Sequence, residues 1–232
     1  MFNLQKSGGI AALFEILAYV IGFGVMATLL NPGNTEGWSS AQKLAFVLER
    51  KALYQTWTIF IYVAFSIALV VLTVALHERL IYRAPELMKI ATPFGLIWAG
   101  LVIASAMVAS VGLEAVATIY ARDVAQASSV WLTIQVIQVI QNWLGGGVEL
   151  VGGVWVLLIS VALFRSLAFP KLLGYLGVVV GLSGVLTVVP LFKDLTIVFG
   201  ISQSFWFAWI GVAMMRGATA NHSLQQTALD CR

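Results

Sequence analysis

Six apolar runs, each close to the length that crosses a bilayer, set the terms for any fold of this chain. They cover residues 8–30, 54–76, 91–113, 143–164, 172–190 and 196–215. Some 30 Å of hydrocarbon takes about 20 residues of helix, so the runs predict an all-α fold, a six-helix transmembrane bundle. Composition agrees: of 232 residues, 60% are hydrophobic and 10% charged, whereas a soluble domain carries about a quarter charged residues. Spans and short connections use up nearly the whole chain. A single domain over residues 1–215 is therefore expected, followed by a flexible cytoplasmic tail, 216–232, without apolar periodicity. The first run is longer than a signal-peptide core and leads into "NPGN" rather than a cleavage site, so it reads as a retained helix starting from Met1.

Six spans put both termini on one side, and basic residues indicate which. Lys6, Arg79, Arg83, Lys89, Arg165, Lys171, Arg216 and Arg232 fall on the side of the termini, against Lys43, Arg50, Lys51, Arg122 and Lys193 opposite. The bias of eight to five places the termini in the cytoplasm. The net charge of +3 thus reports orientation, not nucleic-acid binding. In the first outer loop, turn residues precede a helix predicted to be capped at Ser39 or Ser40, with Leu44, Val47, Leu48 and Lys51 on one face. The stretch "DVAQASSVWLTIQVIQVIQNW" is amphipathic and runs toward the fourth span. An unbroken helix over 128–164 would be about 55 Å long, so it must protrude or break near the glycines 145–147. "RAPELMKI" and "LAFPKLLGY" echo each other, which fits either a duplicated hairpin or ordinary turn chemistry.

The carboxylates inside the apolar runs carry the chemical interest, because charge near a bilayer centre costs about 2.5–3.5 kcal/mol on insertion scales. Glu15, Glu114 and Glu149 are the candidates. Stepping about 100° per residue from Glu149 collects Gln138, Asn142, Gly145, Gly152, Val156 and Ser160 on its face. A stripe of amides and small side chains should face other helices, where glycines allow close approach. Glu15 shares its face with Gly8, Ala11, Ala12, Ala18, Tyr19 and Gly22, and Glu114 with Gly100, Met107, Ser110 and Thr118. The candidate intramembrane polar site is thus Glu149, Asn142, Glu114 and Glu15. A buried acid with no cation holds its proton and serves as a hydrogen-bonding group, so helix-helix adhesion is the alternative to function at each position. Arg122 is a possible counter-charge for Glu114.

Several classes drop out. The histidines, His77 and His222, lie at a span end and in the tail, which leaves no intramembrane ligand for haem or zinc and no catalytic base. No HExxH, GxSxG or P-loop spacing occurs, so an enzyme is disfavoured and no cofactor or metal is expected. The single cysteine, Cys231, excludes an internal disulfide. Trp38, Trp57, Trp98, Trp143, Trp206 and Trp209 fall mostly near span ends, the pattern of interfacial anchors; their faces are alternatively the lining of an outer cavity.

"ELVGGVWVLLISVALFRSLAFPKLLGYLGVVVGLSGVLTVVP", residues 149–190, resembles the bacterial membrane proteins grouped as domain of unknown function 4386. The shared pattern is an acid, glycines and a tryptophan, then an apolar run, an arginine, a proline-containing turn and a glycine-rich helix. The extended first outer loop departs from it. The resemblance implies a six-helix bundle in the bacterial inner (cytoplasmic) membrane, assigns no activity, and places the family's recurrent acid at Glu149. The function expected first is a non-enzymatic partner or scaffold subunit holding another membrane protein, with lipid as its other contact. The alternative is transport or sensing of a small cation, proton or polar solute by the intramembrane carboxylates.

Overall fold

The computed structural model describes residues 3–142 and 147–230, and among them it contains helices and no strand. In chain order these are α1 (Leu4–Ala27), α2 (Ser40–Glu49), α3 (Lys51–Thr58), α4 (Phe65–Leu80), α5 (Pro85–Tyr120), α6 (Val124–Asn142), α7 (Gly147–Arg165), α8 (Lys171–Leu186) and α9 (Leu195–Asp230). A π-helical stretch, Ile59–Ala64, joins α3 to α4 without a break in helicity. The side chains of Asn142 and of 217–230, like residues 143–146 entirely, lie outside the described residues.

Local signals account for most helix starts. The Asn3 side chain accepts from the Lys6 amide to cap α1, and Ser39 and Gln42 form a reciprocal capping box on α2. Pro85 occupies the first turn of α5 and Pro170 immediately precedes α8, where a missing N–H costs nothing. The two proline segments that echo each other in sequence are therefore both helix starts. The turn between α1 and α2 uses Gly33 and Gly37 at φ +73° and +79°, in the left-handed region that suits glycine.

Among the described residues five helices are long and apolar enough to cross a membrane: Leu4–Ala27, Lys51–Leu80, Pro85–Tyr120, Gly147–Arg165 and Leu195–Arg216. The fifth of the six expected spans, 172–190, is the 16-residue α8 and falls short of that length. Past residue 215, where a tail was expected, α9 continues as helix to Asp230. Toward the fourth span the chain forms two helices, with the residues between them, including Gly145 and Gly146, outside those described.

Packing closes a ring in the order α1, α4, α5, α7, α8, α9 and back to α1, each helix antiparallel to its neighbours. Gly8 lies against Ala75 where α1 meets α4, and Gly22 against Ile61 of the π-helical stretch; Gly211 lies against Leu13 and Gly200 against Phe23 where α9 meets α1. Glycine is needed most between α7 and α8. A Cβ on Gly153 would stand 2.8 Å from the Gly181 carbonyl oxygen, and one on Gly184 would stand 2.8 Å from the Glu149 carbonyl oxygen. Two backbones in contact leave no space for a side chain, so small residues set the spacing of this hairpin.

The 36 residues of α5 give it about 54 Å at 1.5 Å per residue, more than a bilayer core requires. Its first half packs on α7 and its second on α6, where Gly112 meets Ile134. There α2 completes a small separate core of Leu44, Leu113, Val116, Ala127 and Trp131. The face predicted for the outer-loop helix thus turns inward, with Leu44 buried and Val47 and Leu48 partly buried. We call this the capped end, and the opposite end, which carries the N-terminus, the terminal end.

Candidate functional site

The interior of the ring is filled with aromatic rings contributed by most of its helices. Tyr19 packs edge-on against Phe65 at 5.7 Å, Phe65 against Trp98 at 6.0 Å, and Trp98 stacks nearly parallel to Phe207 at 6.5 Å. Trp98 also meets Trp155 at 5.6 Å, which meets Trp206 at 5.7 Å. In place of aromatics α8 offers Gly177, over which lie Ser160 and the Trp206 indole nitrogen. Trp98 and Trp206 were expected at span ends as interfacial anchors; instead both are fully buried at the centre of the bundle. Their helices simply bring those positions to the axis, where large rings fill space between helices that glycines do not close.

Polar groups stand among these rings without partners. Glu15 on α1 is wholly buried and neither carboxylate oxygen has a hydrogen bond. Glu149, in the first turn of α7, is 5% exposed; its carboxylate accepts from its own backbone N–H, and Oε2 has no partner. A carboxylate at that position suits the positive end of the helix. The indole nitrogens of Trp98, Trp155 and Trp206, the Thr73 hydroxyl and both amide atoms of Gln203 are likewise buried and unpartnered. Buried polar groups are normally bonded to protein or to ordered water, so these groups stand out in the interior.

The faces read from helical periodicity around Glu15 and Glu149 turn inward where they are described, whereas that around Glu114 is not buried. Gly8, Ala11, Ala12, Ala18 and Gly22 go inward with Glu15, as do Gly152, Val156 and Ser160 with Glu149. Glu114 is placed elsewhere. It is exposed on the far half of α5, where both its oxygens accept from Lys51 Nζ at 3.0 and 2.9 Å and Oε2 from Gln55 at 3.3 Å. Its counter-charge is thus Lys51 rather than Arg122, and it does not join the buried pair. Asn142 ends α6, and its side chain lies outside the described residues. Sequence reasoning missed Gln203, Thr73, Tyr62 and the three buried indoles. The signal for Gln203 was available, since an amide inside the apolar run "ISQSFWFAW" is as anomalous as an acid.

Among the described residues no three His, Cys, Asp or Glu side chains gather to hold an ion. Neither the proteins of curated function nor the solved structures include a match to the chain. The model of one family does match, across residues 8–220 and hence across the whole ring of helices, and the chain belongs to that family, described as domain of unknown function DUF4386.

Proposed function

We propose that the protein is a six-span membrane protein of the bacterial inner membrane, with both termini cytoplasmic, that moves or senses a proton or small polar solute through its interior. The observation that carries this reading is the pair Glu15 and Glu149. Glu15 and Glu149, on separate helices, are buried, and among the described residues no cation pairs with either. Structural adhesion alone would be expected to pair each with a donor across a helix interface, and among the described residues no such bond is made. The membrane crossing of α8 is supported by its place in the ring, antiparallel to α7 and α9. Orientation rests on the basic residues, and Glu114 then falls with Lys51 toward the outer interface, where an ion pair is solvated.

A partner-subunit role has less support, because the small-residue faces that suggested it are taken up within the chain, Gly8 and Gly9 against α9 and Gly153 against α8.

The test compares wild type with Glu149→Gln and Glu15→Gln, each purified, checked for thermal unfolding in detergent and reconstituted in liposomes under imposed proton and ion gradients. Glutamine keeps the shape and most hydrogen-bonding capacity but cannot ionise. The expected result is flux in wild type and its loss, by about tenfold or more, in either variant at unchanged stability. Equal flux from all three, or none from wild type with any ion or solute, would overturn the reading.

A further inference from the structure

At the capped end a cavity of about 580 Å³ opens between the C-terminal end of α1, the turn that follows it, α2, α3 and α6. That is the size of a small-molecule site, typically about 300–1,000 Å³. Its walls are largely aromatic: Trp38, Phe46, Tyr54, Trp57, Tyr62 and Trp131 all line it. Several of these rings are held in place. The Trp57 indole donates to the Gly22 carbonyl at 3.0 Å, Trp38 packs edge-on against Phe46 at 6.1 Å, and Trp131 is buried in the small core under α2. Gln135 and Gln138, three residues apart on α6, add amides on one wall, Gln138 within reach of the Tyr54 hydroxyl. Among the described residues Lys43, on α2, is the one charged side chain in the lining, and its ammonium meets no hydrogen-bond or ion-pair partner there.

These features select a ligand class. Fixed indole and phenol faces favour a flat, apolar body that stacks on them. Aromatic faces also attract organic cations, but here a cation would meet the unpaired ammonium of Lys43, whereas a carboxylate would pair with it. Lys43 is exposed and Trp131 buried, so the charged group belongs at the mouth and the ring system toward the floor.

We propose that this cavity is a binding site for small planar organic anions, aromatic carboxylates above all, with the acid group on Lys43, the ring among Trp38, Trp57 and Trp131, and the amides of Gln135 and Gln138 taking its polar edge. The inference does not depend on conduction through the interior.

Three matched probes test it, indole-3-acetate, indole-3-acetamide and tryptamine, which share a ring and differ in charge. Their affinities for the full-length protein in lipid nanodiscs are measured by calorimetry. Indole-3-acetate is expected to bind tightest. Lys43→Met should weaken it roughly fivefold, as suits a partly solvated ion pair, and leave the amide unchanged. Trp38→Leu should weaken all three by loss of stacking. Lys43 is exposed and unpaired, so its variant should unfold at the wild-type temperature, which is checked alongside. Tryptamine binding as tightly as the acetate, an acetate affinity indifferent to Lys43→Met, or no binding of any probe at millimolar concentration would each overturn the proposal.

Discussion

A methyl group on Gly153 would meet the Gly181 carbonyl oxygen and the Val185 amide nitrogen, both at 2.8 Å, and neither backbone can move aside without displacing α8. Gly153→Ala should therefore lower stability by about 1–3 kcal/mol, the usual range for overpacking. Gly24, with nothing within 4 Å of its Cβ position, is the matched control. Gly24→Ala should be neutral or slightly stabilising, because alanine suits a helix better. Thermal unfolding of both variants in one detergent checks the pair. The inward faces of Glu15 and Glu149 were legible in the sequence because they depend only on helical geometry within one segment. The indole nitrogens of Trp98, Trp155 and Trp206 were not, because their burial depends on which helices surround them, and a tryptophan near the end of an apolar run looks like an anchor in either case. The exposure of Glu114 was hidden for a related reason. Its helix continues past the bundle, and only the packing of α2 and α6 shows how far.

Among elements, α8 tests the fold most sharply. Its 16 residues carry Gly174, Gly177, Gly181 and Gly184, and through them it lies close to α7 and α9. Reporters active on only one side of the membrane, fused in the turn 166–170 and in the turn 187–194, should report opposite sides, the first cytoplasmic. Signals from the same side would remove α8 from the set of crossings and the six-span topology with it. The apolar runs marked every ring helix, yet several helices run past their runs, α5 by half a dozen residues at each end. Hydropathy records what lipid tolerates, whereas a helix ends where its caps and packing end. The amphipathic stretch before the fourth span was recognised, and its partner was not. Its burial against α5 and α2 forms a second core that no periodicity within a single segment could announce.

For the molecule as a whole, the ring joins helices of very different reach. The helix α5 runs about 54 Å and α8, separated from it in the ring by α7, about 24 Å, at 1.5 Å per residue. The excess of α5 is taken up beyond the bundle by α2 and α6. Where α8 crosses the bilayer, as proposed above, the acyl chains beside it would be compressed below their usual 30 Å or so, an elastic strain worth fractions of a kcal/mol per ångström of mismatch. The protein should consequently unfold at a higher temperature in nanodiscs of short-chain phosphatidylcholine than in long-chain ones, and a midpoint independent of chain length would show that no such strain exists. On that proposal the short helix would make the fold responsive to bilayer thickness, drawing thin-forming lipids to its own flank.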